Sequence, residues 1–172
     1  MPHPTDTGRT VGSALAAAFR CWKEHTLAIE VGQQAPDFTL VDENNNKVTL
    51  SALRGSPVVL MFYPFDFSGA CTAENCEIRD NYGAWMDKGA KVFGISRDSR
   101  FVHAEFKKKE GFQHSLLADL KGEVAQQYGC WNEAAASADR ATFVIDRAGK
   151  VAFALYNGRE RRDHRDVESH IK

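Results

Sequence analysis

The feature that most constrains the fold is the alternation of short apolar runs with longer segments of helical periodicity. The run from Pro57 to Tyr63 is almost wholly apolar, which is typical of a strand buried on both faces. The segment from Gly69 to Lys88 follows it and predicts a helix, because its large apolar residues form one stripe. Members of this stripe are Ile78, Tyr82, Trp85 and Met86. Alternation of this kind predicts a sheet with a parallel portion and helices on both faces.

The remaining segments extend the alternation in both directions. A β-hairpin is predicted at each end by alternating apolar residues around a polar turn: Asp37–Val41 with Lys47–Leu50, and Ala141–Ile145 with Lys150–Leu155. Further strands are predicted at Lys91–Ser96 and Gln113–Leu117, and helices at Ser99–Glu110 and Gly122–Tyr128. Ser99 is suited to cap its helix and Gly111 to end it. The charged stretch Arg159–Lys172 is expected to begin a final helix.

The length of 172 residues indicates one domain, assigned to residues 31–172, with an extension at residues 1–30. Segment Ser13–Lys23 could form a short amphipathic helix. The extension resembles a signal or transit peptide in its apolar patch and scarcity of acids, but Arg9 is its only basic residue before the patch. A loosely held extension and a cytoplasmic location are therefore preferred, with organelle targeting as the alternative.

Composition argues against several classes of function. A formal net charge of −1 gives no reason to expect binding to nucleic acid or to an anionic membrane surface. No apolar stretch approaches the roughly 20 residues of a transmembrane helix. The basic residues of the stretch 159–165 alternate with acidic ones, which favours a solvated helix face.

Cys71 is the first candidate for chemistry. It follows the loop that begins at Tyr63, at the carboxyl end of the predicted buried strand, where ligands of α/β sheets tend to bind. If Ser68 caps the next helix, Cys71 falls in the first turn, where backbone N–H groups and the helix dipole favour the thiolate, the nucleophilic form. A small buried apolar cysteine is the alternative, and the residues alone leave the two equal.

Several motifs resemble those of the peroxiredoxin family over about residues 31–167. Pro64-x-x-x-Ser68-x-x-Cys71 is similar to the family's active-site motif, and Ala35-Pro36-Asp37-Phe38 to its opening signature. Glu74 and Arg140 match an acidic residue and a distant arginine of the active site. The resemblance implies a thioredoxin-like α/β fold with a central mixed sheet, an N-terminal β-hairpin and flanking helices.

The resemblance also implies a role for each matched residue. Cys71 would attack the peroxide and become a sulfenic acid, and Arg140 would favour the thiolate and polarise the peroxide. Ser68 would hydrogen-bond the peroxide, Pro64 would shape and shield the loop, and Glu74 would hold Arg140. No metal or other cofactor is implied. The expected partners are a peroxide and thioredoxin or a similar dithiol reductant, and the expected state is a monomer or homodimer.

Cys76 matches the resolving cysteine of the peroxiredoxin Q branch (bacterioferritin comigratory proteins), five residues after the peroxidatic one. In a helix these Cα atoms lie roughly 8–9 Å apart, whereas a disulfide needs about 4.4–6.8 Å. We therefore expect Gly69–Glu77 to unwind in each cycle. Cys130 is a rival resolver but is preferred as a partly buried structural thiol, and Cys21 is assigned no role.

The flanking residues resemble a different branch, the actinobacterial alkyl hydroperoxide reductase E type. They are Phe65-Asp66-Phe67 and Trp131-Asn132-Glu133. Some members of that branch work with a single cysteine, and the presence of Cys76 argues against this for the present chain. A pocket lined by Phe65, Phe67 and Trp131 would admit alkyl groups of a hydroperoxide.

Three other functions are considered. A thioredoxin-like disulfide oxidoreductase would need C-x-x-C. A zinc site would need C-x-x-C pairs as well, and the histidines His103, His114 and His164 are interpreted as scattered among polar residues. A redox sensor or holdase chaperone could use the same fold and stays open.

Overall fold

The computed structural model describes residues 28–160 and 164–172. The helix predicted within residues 13–23 and most of the proposed extension therefore lie outside the described residues, as does Cys21. At the beginning of the described part, Ile29 is buried, and its backbone N–H donates to the hydroxyl of Tyr156 over 2.7 Å. The chain is thus held against the main domain from this point onward.

Seven strands form one mixed sheet in the order β2-β1-β5-β4-β3-β8-β9. Their bounds are Thr39–Asp42 (β1), Lys47–Thr49 (β2), Val58–Phe62 (β3), Lys91–Ser96 (β4), Ser115–Ala118 (β5), Arg140–Ile145 (β8) and Val151–Gly158 (β9). The central pairs β3–β4 and β4–β5 are parallel, and the other pairs are antiparallel. Both predicted hairpins and all three predicted central strands are confirmed, with ends that differ by a few residues.

The helices are Gly69–Asp87 (α1), Arg100–Glu110 (α2), Glu123–Gln127 (α3) and His164–Ser169 (α4), and a 3₁₀ turn spans Leu50–Leu53. The predicted ends of α2 are confirmed. The Ser99 side chain accepts a hydrogen bond from the Val102 N–H, and Gly111 ends the helix at a φ of 70°. None of the helices in residues 28–160 and 164–172 is long and apolar enough to cross a lipid bilayer.

Strand β3 separates two main clusters of the core, because successive side chains point to opposite faces of the sheet. Val58, Leu60 and Phe62 pack on one face with α3 and Tyr128. Val59 and Met61 pack on the other face with α1 and α4. A third cluster joins the start of α1 to α2. Helices thus cover both faces, as predicted.

The predicted apolar stripe of α1 is partly wrong. Ile78 and Trp85 are almost fully buried and Tyr82 is half-buried, but Met86 is 38% exposed. The helix ends at Asp87, so Met86 lies in its last turn at the edge of the core. Apolar spacing alone does not show where a helix leaves the sheet.

Gly94 leaves room for two neighbouring side chains of the core. A Cβ atom at this position of β4 would lie 2.8 Å from Leu116 Cδ2 and 3.1 Å from Tyr63 Cε1. It would also lie 3.6 Å from Oδ1 of Asn75 in α1. The missing side chain therefore makes room for Leu116 and Tyr63, which pack with Cys71.

A two-stranded ribbon was not predicted from the sequence. Strands Trp131–Asn132 (β6) and Ser137–Ala138 (β7) pair in antiparallel fashion outside the main sheet. Each has only two residues, which is too few for an alternating pattern to be recognised. The ring of Trp131 lies over Gly122, where a Cβ atom would come within 2.3 Å of it.

Candidate active site

Cys71 lies in the first turn of α1, directly beyond the loop that follows β3. It is the third residue of the helix, and Ser68 occupies the N-cap position. The thiol is fully buried and packs with Tyr63, Phe106 and Leu116. Burial keeps solvent from the sulfur, and the unpaired N–H groups of the first turn favour negative charge on it.

Arg140 brings a permanent positive charge to this sulfur. Its Nη2 donates to Cys71 Sγ over 3.3 Å, and its Nε donates to Glu74 Oε2 over 2.8 Å. A third contact runs from Nη1 to the backbone oxygen of Arg159 over 3.1 Å. The side chains of Arg140 and Glu74 are only 5% and 2% exposed. The guanidinium is therefore fixed on three sides, with one edge directed at the sulfur.

Ser68 and Pro64 lie in the loop between β3 and α1. Pro64 is buried. Ser68 stands at the N-cap position, as the placement of Cys71 in the first turn required, but its side chain makes no capping hydrogen bond. Instead, the backbone oxygen of Ser68 accepts from the Thr72 N–H over 2.8 Å. The helix therefore starts without the Ser68 hydroxyl as a cap.

Phe67 holds the loop in a strained conformation. Its φ is 58°, a left-handed value that is a genuine outlier for a bulky residue. Its ring packs 4.9 Å from that of Phe106, and Lys109 Nζ lies 5.4 Å from the ring centroid. Strained residues of this kind cluster at functional sites, and the sequence carries no signal for this one.

A buried polar network fixes the same loop from the other side. The Tyr63 hydroxyl donates to Asp66 Oδ1 over 2.6 Å, and His103 Nδ1 lies 2.7 Å from Asp66 Oδ2. His103 Nε2 lies 3.2 Å from the Leu117 carbonyl oxygen. The backbone N–H of Asp66 also donates to Asp98 over 2.9 Å. Burial and the nearby Asp66 charge raise the pKa of Tyr63 well above its usual value, so Tyr63 acts as a donor.

Two of the three histidines that were considered as zinc ligands are buried in the core. His103 and His114 are fully buried, whereas the side chain of His164 lies outside the described part. Val102 and Ala104 flank His103, and Phe112 and Leu116 lie two positions from His114, so each histidine lies in a segment that mixes polar with apolar residues. In residues 28–160 and 164–172 there is no group of three or more His, Cys, Asp or Glu side chains placed to hold a metal ion.

The three cysteines among the described residues fall into two different regions of the core. Cys71 and Cys76 are both in α1 and are free thiols, and Cys76 is partly buried against the cluster that contains Cys71. Cys130 is buried in the cluster on the other face of β3, with its Sγ 3.5 Å from the Ala125 carbonyl oxygen. The structure therefore brings Cys76, and not Cys130, into the neighbourhood of Cys71.

The three aromatic residues predicted to line a pocket have separate surroundings. Phe65 is 37% exposed and Phe67 is 47% exposed. Phe67 packs against α2, whereas Trp131 packs over Gly122 and against the core on the opposite face. The pocket of Phe65, Phe67 and Trp131 therefore stays a prediction, because these contacts of Phe67 and Trp131 are with different neighbours.

Comparison with known proteins gives consistent similarities. The sequence profile of the AhpC/TSA family matches residues 31–154. Alkyl hydroperoxide reductase E of Mycobacterium tuberculosis is 40% identical over 129 residues, or 73% of this chain and 84% of that protein. Chloroplastic peroxiredoxin Q of Oryza sativa subsp. japonica is 38% identical over 130 residues, which span 75% of this chain but only 59% of that protein.

A solved structure is similar over most of the chain. The crystal structure of peroxidoxin BcpB from Mycobacterium tuberculosis gives a TM-score of 0.77 at 31% identity, with 83% of this chain and 96% of that chain covered. The shared fold confirms the predicted thioredoxin-like α/β architecture, with its mixed sheet, N-terminal hairpin and flanking helices.

Proposed function

The chain belongs to the AhpC/TSA family, as the resemblance to peroxiredoxins predicted, and we propose that it is a thiol-dependent peroxidase of hydrogen peroxide and organic hydroperoxides. The observation that carries this proposal is the 3.3 Å contact between Arg140 Nη2 and the buried Cys71 Sγ. A cationic donor beside a buried sulfur favours the thiolate. The same donor stabilises the negative charge that develops on the leaving oxygen when the peroxide bond breaks.

In the first step the Cys71 thiolate attacks one oxygen of the peroxide. An S–O bond forms and the O–O bond breaks, so the sulfur is oxidised to a sulfenic acid and the peroxide is reduced. The leaving oxygen carries the electron pair away and takes a proton, which yields water or an alcohol. Arg140 stabilises that oxygen while the charge builds on it.

The other matched residues support this step. Glu74 orients Arg140 through the 2.8 Å bond from Nε, which leaves Nη2 directed at the sulfur. The Ser68 hydroxyl is not used as a helix cap, so it can hydrogen-bond a peroxide oxygen three residues from the nucleophile. Pro64 is buried beside them and limits the access of water to the sulfenic acid.

Cys76 then resolves the sulfenic acid. Its thiolate attacks the Cys71 sulfur, an S–S bond forms, the S–O bond breaks, and the oxygen leaves as water. Both cysteines lie in the continuous helix Gly69–Asp87, where residues five apart have Cα atoms roughly 8–9 Å from each other. A disulfide requires a much shorter distance. The segment Gly69–Glu77 must therefore open during each cycle.

A dithiol reductant of the thioredoxin type completes the cycle. Its two thiols reduce the Cys71–Cys76 disulfide by exchange and are themselves oxidised to a disulfide. The electrons pass entirely through sulfur, so the proposed cycle uses no cofactor. Turnover with thioredoxin distinguishes a peroxidase from a redox sensor, which would be oxidised only once.

The test is the mass of the intact protein after one equivalent of hydrogen peroxide, followed by peptide mapping. We expect oxidation at Cys71 within seconds, and none in Cys71→Ser. Multiple turnovers of peroxide should require added thioredoxin, thioredoxin reductase and NADPH. A folded wild-type protein whose Cys71 stays reduced on this timescale would end the peroxidase proposal. Oxidation without turnover would leave the sensor function.

A further inference from the structure

The helix segment between the two thiols is tied to the rest of the protein by a buried polar side chain. Asn75 is 2% exposed and lies between Cys71 and Cys76 in α1. Its Nδ2 donates to the Cys71 carbonyl oxygen over 2.9 Å, and its Oδ1 lies 3.0 Å from His114 Nε2. One side chain thus connects the first turn of the helix with the residue that precedes β5.

The hydrogen-bonding pattern fixes the state of His114. Because the Cys71 carbonyl can only accept, Asn75 must present its amide nitrogen to that carbonyl and its oxygen to His114. His114 Nε2 therefore carries the proton. Burial lowers the pKa of His114 to about 3, so the ring is neutral near pH 7. Its Nδ1 is buried without a hydrogen-bond partner, and Phe112 stacks on the ring with 5.2 Å between centroids.

Asn75 lies within the segment that must open if Cys76 resolves Cys71, whereas His114 lies outside that segment. We propose that Asn75 and His114 form a latch that keeps the Cys71–Cys76 segment helical and sets how often it opens to form the disulfide. This inference rests on the resolving role of Cys76 given above. Opening separates the Cys71 carbonyl from Asn75 and Asn75 from His114, so both hydrogen bonds must break before the sulfurs can meet.

The latch affects both the reaction with peroxide and the formation of the disulfide. While both bonds are formed, Cys71 stays beside Arg140, where it can react with peroxide. Once the sulfenic acid has formed, the same bonds delay the approach of Cys76. A strong latch therefore prolongs the life of the sulfenic acid and exposes it to a second peroxide, whereas a weak latch shortens that life.

Asn75→Ala and His114→Phe each remove part of the latch, and Asn81→Ala is the matched control. Asn81 lies in the same helix and its Nδ2 bonds to the Glu77 carbonyl oxygen over 2.7 Å, but it is exposed and outside the thiol segment. Alanine is a better helix former than asparagine, so propensity alone would slow opening in Asn75→Ala, whereas Asn81 lies outside the segment that opens. A faster opening in Asn75→Ala would therefore report the lost bonds.

The first measurement is rapid-quench mass spectrometry of the full chain after one equivalent of hydrogen peroxide. It gives separate rates for sulfenic acid formation and for the Cys71–Cys76 disulfide. We expect disulfide formation about tenfold faster in Asn75→Ala and His114→Phe, equivalent to about 1.4 kcal/mol. Asn81→Ala should match wild type. Equal disulfide rates in wild type and both latch variants would overturn the proposal.

Hydrogen exchange of the reduced proteins separates this inference from the proposed function, because it needs no peroxide. We expect faster exchange at amides 71–77 in the two latch variants, with exchange in strand Lys91–Ser96 unchanged. Unchanged exchange at amides 71–77, or an equal rise in both regions, would overturn the latch even if the protein is an active peroxidase. His114→Phe keeps an aromatic ring beside Phe112, so it provides the test if Asn75→Ala does not fold.

Discussion

The guanidinium of Arg140 lies 3.3 Å from the sulfur of Cys71, although 69 positions separate the two residues in the chain. The sheet explains this proximity. Arg140 begins β8, and the next residue, Ala141, pairs with Phe62 at the end of β3. Because β3 and β8 are antiparallel, the start of one strand meets the end of the other, from which the loop leads to Cys71.

We expect Arg140→Ala to lower the second-order rate of the peroxide reaction by 10²–10³-fold. The physical reason is the loss of a preorganised charged donor at the leaving oxygen, an effect of about 3–4 kcal/mol where single oxyanion donors have been removed. Stopped-flow measurement of Cys71 oxidation at several peroxide concentrations gives this rate, and far-UV circular dichroism checks that the fold is retained.

Arg159→Ala is the matched control for that substitution. The Arg159 side chain is 51% exposed and pairs with Asp139. Arg140 contacts Arg159 through the backbone oxygen and not through this side chain. The carbonyl remains after the substitution, so the peroxide rate should stay within a factor of about two. A wild-type rate in a folded Arg140→Ala variant would remove Arg140 from the mechanism.

Cys76→Ser and Cys130→Ser should behave differently after one equivalent of peroxide. Cys76 lies in the same helix as Cys71, whereas Cys130 is buried on the other face of the sheet. We expect a trappable sulfenic acid to accumulate in Cys76→Ser, and an intramolecular disulfide to form at the wild-type rate in Cys130→Ser. Peptide mapping under non-reducing conditions distinguishes the sulfenic acid from the disulfide. A Cys71–Cys130 bond, or one between two subunits, would move the resolving role elsewhere.

Much of this architecture could be predicted because periodicity and turn residues determine local elements. The limits of α2 follow from Ser99 and Gly111, and β4 was predicted at its observed ends. The ribbon β6–β7 could not be predicted, because its strands are too short to show alternation. Its position depends on the packing of Trp131 over Gly122, which is a tertiary contact.

The reactive residues of the site could be predicted from the sequence, whereas the residues that surround them could not. Cys71, Glu74 and Arg140 could be matched by motif, and the structure brings them together. The partners of Asp66 and Asn75 could not be found in this way, because His103 and His114 lie 37 and 39 positions away and belong to no motif that would link them to these residues. The buried hydrogen bonds of these two histidines become apparent only when the fold is known.

Removal of His103 should destabilise the protein strongly. His103 and Asp66 form a pair whose side chains are fully inaccessible to solvent. Taking away one partner leaves the other buried without its counterpart, which typically costs about 3–5 kcal/mol. We expect His103→Ala to lower the free energy of unfolding by this amount in urea titrations. The control is Lys121→Ala, which breaks the exposed pair with Glu123 and should change stability by less than about 1 kcal/mol.

His103→Ala should also disturb the active-site loop, because Asp66 precedes Ser68 by two residues and accepts a hydrogen bond from Tyr63. In conditions where His103→Ala remains folded, we expect a slower reaction of Cys71 with peroxide. Unchanged stability and an unchanged peroxide rate would mean that the buried pair does not support the loop.

His114 should make the protein less stable in acid. Its pKa is about 3 in the folded protein, mainly through burial and secondly through the charge of Lys107, against 6.5 in the unfolded chain. The unfolded state therefore binds the proton more readily. Stability is unaffected by this group above about pH 6.5 and falls as the pH decreases from 6.5 toward 3. At pH 5 the expected loss from this residue is about 2 kcal/mol.

His114→Phe removes the titrating group and keeps an aromatic ring. Urea unfolding at intervals between pH 4.5 and 8 should therefore show a shallower decline for His114→Phe than for wild type. The difference in free energy of unfolding between the two proteins should be constant above pH 7. At pH 5 it should shift by about 2 kcal/mol in favour of the variant. Parallel curves over the whole range would show that His114 has the same proton affinity in the folded and unfolded states. In that case burial would not lower the pKa of His114.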